Sequence, residues 1–324
     1  MTLNATMRSS VTLAKLGECR LLARLLPGLP ARPDVRVGPG DDCAVIRVGP
    51  GARFDWLMTS DPVIEGVHFE SSAPAAAVGH KALARCLSDG AAMGGEPLWG
   101  VVDLVAPGST PAARIRGLYR GLNRLAARHG MAVVGGDLSV GLALELHVFV
   151  VGRVPAGRAI LRRGARVGDA LYVTGALGGS RRGRHLAFAP RLAEGQWLLK
   201  GRWATAMMDV SDGLALDLPR LLERSECGAE IWLDKLPVHP DATRLGDKRS
   251  PLERALSDGE DFELLFTVPP ERAAAFETAW RRQFRLRVTR IGQILARALG
   301  LIGRDAEGRR RRLPRGGYEH FHAG

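Results

Sequence analysis

"VGPGDDCAVI", Val37 to Ile46, sets two adjacent carboxylates, Asp41 and Asp42, behind a Gly-Pro-Gly turn and ahead of an apolar run. Glycine and proline restrict the turn, and the apolar run predicts a strand leaving it. Paired acids in a stiff turn are unexpected in a chain with 46 Lys and Arg against 34 Asp and Glu, a formal net charge of +12. A single Asp in such a place is more often a cap or Asx turn than a ligand. Repetition changes that weighting. Asp61 ends a strand-like run in "MTSDPV", and Asp89 lies on a helical pattern in "ARCLSDGAAMGG". Asp137 follows two glycines in "VVGGD", and Asp209 and Asp212 close "MMDVSDG". Each stands at the end of an apolar segment beside glycine or a small hydroxyl residue, where open α/β sheets place ligand chemistry. Magnesium is held by one or two carboxylates plus substrate phosphates, and glycines let backbone N–H groups approach phosphate oxygens. Acids among glycines therefore suit magnesium–nucleotide chemistry, in which phosphoryl transfer needs little beyond positioning and charge neutralisation.

Length and composition set the frame. The 324 residues suffice for two domains, and 46% apolar with 25% charged residues is ordinary for a globular protein. The longest apolar run, "LALELHVFVVG", is interrupted by Glu145 and His147 and falls short of the roughly 20 residues of a membrane span. The first fifteen residues have no apolar core and no small-residue cleavage site, so no secretory signal is expected. Cys19, Cys43, Cys86 and Cys227 form no C-x-x-C pair, which argues against a zinc site or a disulfide framework and fits a reducing cytoplasm. Aromatic residues make up 6%, and none interrupts the run Arg309 to Arg312. That run reads as a solvated loop rather than a nucleic-acid surface, which would interleave aromatics.

The periodicity predicts two mixed α/β domains, residues 1–154 and 155–324. Residues 54–61 read as a strand, 75–95 as a helix stopped by Gly94 and Gly95, and 98–107 as a strand. A second helix follows, with Thr110 as expected N-cap, Pro111 at N1 and Gly130 closing it. Two strands then flank the Gly-Gly-Asp turn. A boundary falls at 155–170, after which the style repeats. Leu214, Leu218, Leu221 and Leu222 mark a helix in which Pro219 requires either a restart with Asp217 as N-cap or a kink. "EDFELLFTV" is a strand, followed by a helix over 270–282 and strands near 286–293 and 299–303. Neither G-x-x-x-x-G-K-[ST] nor H-R-D occurs, which excludes the two familiar nucleotide-binding signatures.

The motifs "GPGDDCAVI", "MTSDPVIEGVHF", "GHKALARCLSDGAAMGGEPLW", "VVGGD", "GDALYVTGALGGS", "MDVSDGLALDL", "ECGAEI", "LSDGEDFELLFTV" and "GGYEHF" occur in that order from about Lys15 to Phe321. Together they resemble the thiamine-monophosphate kinases of the aminoimidazole-ribonucleotide-synthetase-like superfamily. The Gly-Asp-Asp turn and D-x-S-D-G are shared with sister enzymes, whereas their combination with "SD…GVHF", "LSDGAAMG", "GEDFEL" and the terminal "GYEHF" is much more specific to the thiamine kinases. The resemblance implies a two-domain synthetase-like α/β fold, its N-terminal domains pairing in a homodimer across a β-barrel-like interface, with ATP and metals between the domains. It implies transfer of the γ-phosphoryl group of ATP to thiamine monophosphate, with several Mg²⁺ ions. Carried over position by position, Asp42, Thr59, Ser60, Asp61, Asp89, Asp137, Asp209 and Asp212 would be metal ligands. Gly136, Arg162 and Ser211 would contact ATP, and His68, Glu260 and Tyr318 would contact thiamine monophosphate. Asp41 would cap the turn or meet a metal through water.

Three departures from the family pattern stand out. "GGSRRGRHLAFAPRLAEGQWLL" passes almost directly from the glycine loop to "HLAFAPR", so a helix of the second domain is expected to be lost. Leu138 stands where Thr is usual, and about fourteen N-terminal residues form an extension expected to be disordered. Two rival readings are weighed against the kinase. A sister enzyme acting on selenide would need a reactive Cys in a glycine loop, whereas Cys19 lies in a helix-like run; one acting on a purine-pathway intermediate is the other form. A silent protein binding thiamine phosphate or nucleic acid would have little reason to keep mutually repelling acids.

Overall fold

The structure is a computed structural model that describes residues 11–244, 246, 248–313 and 316–321. Two long strands set the frame of its first half. β3 (Phe54–Ile64) and β7 (Glu145–Pro155) pair antiparallel over eleven residues, from Phe54 opposite Pro155 to Ile64 opposite Glu145. β7 alternates buried and half-buried positions along its length, the period-2 signature of a strand with one face on a core. β1 (Val35–Val37) and β2 (Ala44–Ile46) extend the sheet beyond β3. β4 (Glu96–Ala106) extends it beyond β7, and β5 (Ala132–Gly135) and β6 (Leu138–Val140) both pair parallel to β4. This sheet is open at β1 and at β5, and it does not close into a barrel.

Two short helices, α1 (Leu13–Leu16) and α2 (Glu18–Leu25), precede this sheet. Its face is covered by α3 (Ala75–Ala92) and α4 (Ala112–Arg128). Glycines bring this pair together. A Cβ on Gly79 would lie 1.9 Å from the Leu118 carbonyl oxygen, and one on Gly121 would lie 1.8 Å from that of Ala76. Backbone thus packs on backbone, closer than any side chain permits.

The second sheet has the order β14 (Arg310–Arg311), β13 (Leu301–Arg304), β10 (Cys227–Trp232), β12 (Val288–Ala296), β8 (Ala170–Thr174), β11 (Glu263–Val268) and β9 (Ala206–Val210). β8, β9 and β11 are buried at every position, which accounts for their continuous rather than alternating apolar sequences. One face carries α6 (Leu214–Arg224) and α7 (Pro251–Ser257), through a core that includes Leu218, Leu221 and Leu265. The other carries α5 (Leu192–Lys200) and α8 (Ala273–Gln283) over Tyr172, Phe266, Phe276 and Trp280. α3 also contacts α5 and β9, so one apolar cluster runs from the first sheet to the second.

Several local expectations change. The N-cap of α4 falls on Pro111 rather than Thr110, because the Thr110 N–H closes the preceding turn on the Pro107 carbonyl. α6 neither restarts nor takes Asp217 as cap. It runs through Pro219 from Gly213, and Asp217 is a fully buried first-turn residue whose carboxylate accepts the Asp212 N–H at 3.0 Å. Two 3-10 turns, Ser180–Arg182 and Arg184–Leu186, occupy the segment after the glycine loop, ahead of α5. The arginine run is not a free loop. Arg310 and Arg311 form β14, and Asp305 accepts hydrogen bonds from the side chains of Arg309 and Arg311. Of the N-terminal extension, residues 1–10 lie outside the described residues, while Leu13 and Ala14 are in α1.

Candidate active site

Carboxylates from three separate elements converge between the sheets. Asp42 comes from the turn before β2, Asp89 from α3 and Asp209 from β9, and each offers an oxygen within 4.8 Å of the others. Among the described residues, these three alone form such a group. Each is tied to a neighbour. Arg162 donates to Asp42 from Nη2 at 2.8 Å, Thr59 Oγ1 donates to Asp89 at 2.5 Å, and Ser88 Oγ donates to Asp209 at 2.6 Å. Burial pushes Asp89 and Asp209 above the ordinary carboxylate range. Neighbouring acids add to this, with Asp61 foremost for Asp89 and Asp42 for Asp209. Concentrated, buried negative charge of this kind marks a place built to receive cations. Three hard oxygen donors fit magnesium rather than a soft metal.

Asp41 has the capping role. Its carboxylate accepts the backbone N–H groups of Asp42 and Arg162 at 3.2 Å, stitching the turn to the segment entering the second sheet. Burial, then the adjacent Asp42, push it up to about 6.

Asp61 on β3 is clamped by Arg85, one turn of α3 before Asp89, through two hydrogen bonds of 3.1 and 2.9 Å. Beyond it lies a narrow cavity lined by His68, Arg85, Ser211, Asp212, Glu260 and Tyr318, with Arg181 and His320 at its rim. The strand that holds Asp209 runs directly into Ser211 and Asp212, so sequence adjacency alone joins acids to cavity. Lys81 on α3 is fully buried; it donates to the His68 carbonyl at 2.6 Å and to the Glu260 carboxylate. Burial pulls its ammonium down to about 8 against the attraction of Glu260. His68 accepts the Ile64 N–H at Nδ1, and burial followed by the charges of Arg85 and Lys81 pulls it down to about 3, so the ring is neutral. The Tyr318 N–H donates to the Asp212 carbonyl at 2.9 Å, which fixes the C-terminal segment over the cavity. Arg181 lies 5.6 Å over the Tyr318 ring and 3.7 Å from Glu260.

Of the residues expected from sequence, Asp42, Thr59, Asp61, Asp89, Arg162 and Asp209 form one network, and Ser211, Asp212, His68, Glu260 and Tyr318 the adjoining cavity. Ser60, Gly136 and Asp137 stand outside both. Ser60 is exposed on β3, and Asp137 is exposed beside β6 with only Ser139 Oγ donating to it, at 3.3 Å. Gly136 has φ 150° and packs its α-carbon on the Val102 carbonyl, where no side chain fits. Sequence reading passed over Lys81, Arg85, Ser88, Arg181 and His320. Lys81, Arg85 and Asp89 recur at i, i+4 and i+8 on α3, a one-face spacing that exposes the first two as site residues.

Family models described as the N-terminal and C-terminal domains of AIR synthase related proteins match residues 40–154 and 166–303. The thiamine-monophosphate kinase of Rhodopirellula baltica is 40% identical over 299 residues, covering 89% of this chain and 92% of its own. That of Escherichia coli K12 is 35% identical, covering 94% and 98%. The structure of AaThiL complexed with AMPPCP and TMP superposes with a TM-score of 0.81 at 32% identity, covering 96% and 99% of the two chains. The hydrogenase maturation protein HypE in complex with ATP, at 19% identity and a TM-score of 0.65, shares the fold. With two-thirds and more of its length matched at this identity, the chain belongs to the thiamine-monophosphate kinase family.

Proposed function

We propose that this protein transfers the γ-phosphoryl group of ATP to the phosphate of thiamine monophosphate, yielding thiamine diphosphate and ADP. The observation that carries this reading is the convergence of Asp42, Asp89 and Asp209 within 4.8 Å of one another, next to a cavity lined by His68, Glu260 and Tyr318. Asp42, Asp89 and Asp209, supported by Thr59, Asp61 and Asp212, would hold magnesium. Bound there, the ions would neutralise polyphosphate charge and align donor and acceptor oxygens. Ser60, Gly136 and Asp137 would complete the nucleotide site from the first sheet, a role supported by the family resemblance rather than by their distance to the cluster.

The chain's own groups divide the remaining work. Arg162 holds a fixed guanidinium at Asp42 and can turn a fork of donors to a phosphate. Lys81 fixes the Glu260 carboxylate as an acceptor for the cationic part of the substrate, and Tyr318 offers a ring face. Ser88 and Thr59 keep Asp209 and Asp89 aimed inward. No side chain is placed to remove a proton, and none is required where the acceptor is already a phosphate oxygen.

Residues 1–154 and 155–324 would act as two domains, with the nucleotide between them. Pairing of two chains across the first sheet is supported by Val134, Leu138, Val140 and Leu142, large apolar residues exposed beside β5 and β6. Among the described residues no helix is long and apolar enough to cross a membrane. The test is turnover of thiamine monophosphate with ATP and Mg²⁺ by the wild type and by Asp209→Asn. The variant keeps an acceptor for Ser88 but loses a charge. Its activity should fall beyond the roughly 10–100-fold typical of losing an outer-shell partner. Wild-type protein that makes no thiamine diphosphate, or an active variant, sinks the reading.

A further inference from the structure

A second cationic cavity lies away from the acids. It has a volume of about 450 Å³ and is formed by the C-terminal end of α8, the loop after it and the start of β12. That size is ample for a small ligand. Its lining shares no residue with the catalytic site, and β12 is separated from β9 by β8 and β11.

Four arginines line it, Arg281, Arg285, Arg287 and Arg290, the last with its guanidinium 5.4 Å over the Trp232 ring, against the single carboxylate of Glu277. That carboxylate is already engaged, accepting the Tyr172 hydroxyl at 2.8 Å. None of the four arginine side chains forms an ion pair with an acid of the described residues, in contrast to Arg85, Arg162 and Arg191. One buried polar atom on the α8 side of β12, Arg290 Nε, has no hydrogen-bond partner. Buried donors are almost always satisfied, and an orphan asks what satisfies it. The wall is stiff. Trp280 is 1% exposed and its indole N–H donates to the Leu286 carbonyl at 2.7 Å, which locks the loop that carries Arg285 and Arg287. Guanidinium forks on a rigid wall suit phosphate oxygens.

We propose that this cavity is a second anion site, which takes a small ligand bearing two or more phosphate groups. Arg285 and Arg287, exposed at the mouth, attract the ligand, and Arg290 binds it at the floor. The site binds and does not catalyse, since no carboxylate cluster or nucleophile accompanies the arginines.

Titration of the full-length protein with inorganic tripolyphosphate in the presence of EDTA tests this, with hydrogen–deuterium exchange locating the contact. The expected result is protection of the segment 277–290 in the wild type. In Arg285→Ala/Arg287→Ala that protection should vanish, with binding at this site weakened about tenfold or more by the loss of two charged hydrogen-bond donors. Both arginines are exposed, so the variant should melt with the wild type and turn over substrate at an unchanged rate. Arg290→Gln provides an independent second variant with the same expected loss. Absence of protection over 277–290, or protection that persists in both variants, overturns the proposal. So does a single-stranded oligonucleotide that outcompetes tripolyphosphate at physiological salt through the same arginines, because the surface then belongs to nucleic acid. None of these readouts depends on the kinase reaction.

Discussion

Replacing Lys81 with methionine tests whether Glu260 is held as a charged, pre-positioned group. Lys81 is fully buried, and its ammonium is the close partner of a carboxylate only 12% exposed. Methionine retains length and apolar packing but removes three donors. Breaking a buried ion pair by deleting one partner costs about 3–5 kcal/mol, because the other charge stays buried without compensation. Arg181 remains 3.7 Å from Glu260 but is 55% exposed, so it offsets little of that loss. Loss of the Lys81 ammonium also leaves the His68 carbonyl without its donor. A net loss of about 3 kcal/mol is therefore expected, which is roughly 150-fold in an equilibrium constant. For a protein of this size that corresponds to a drop of about 4–5 °C in melting temperature. Thermal melts of Lys81→Met, Glu260→Gln and the double variant provide the assay, with KM for thiamine monophosphate measured alongside. The double variant should regain at least half the stability lost by Lys81→Met, since no charge is then stranded, while its KM stays high. A melting temperature of Lys81→Met within 1–2 °C of the wild type, or strictly additive losses in the double variant, refutes the reasoning.

Arg181→Ala should open the substrate cavity, whose free volume of about 20 Å³ holds little more than one water. Removing an exposed cation that repels a cationic ring should lower KM roughly threefold at constant kcat; a higher KM would mean that Arg181 holds the substrate phosphate. Asp261 accepts the Gly178 N–H and the Arg184 guanidinium, and burial still pushes it up to about 7. The folded chain therefore keeps a proton that the unfolded chain loses near 3.8, so stability falls as pH rises from about 4 to 7, by at most roughly 4 kcal/mol. Melts across that range should flatten in Asp261→Asn, and an unchanged slope counts against this assignment. Gly121→Ala would drive a methyl into the Ala76 carbonyl at 1.8 Å. Denaturant unfolding should show a loss of about 1–3 kcal/mol or more from forcing α3 and α4 apart, and a neutral result would show that the helices separate freely.

Much of the fold was legible because local periodicity is a local property. The alternation of β7, the apolar runs of β8, β9 and β11 and the glycine stops after α3 and α4 each follow from backbone geometry and side-chain burial within a few residues. The acids were legible for a similar reason, since turn residues and strand ends announce themselves. Proline chemistry was the weak point. The sequence reading placed a cap at Thr110 and required either a restart at Asp217 or a kink at Pro219, whereas the structure puts the cap on Pro111 and buries Asp217 inside one helix that runs through Pro219.

Sequence alone determined the elements, the family and the candidate acids. Tertiary structure decided which acids share a centre: Asp42, Asp89 and Asp209 meet although 47 and 120 positions apart in sequence, while Asp137, with equally suggestive glycines, faces solvent. It also turned Lys81, an ordinary helical lysine by sequence, into the buried partner of a carboxylate 179 positions away. The physical reason is common to both. Charge burial and Coulomb coupling depend on distance through space, and only the packing of α3 between the two sheets sets that distance.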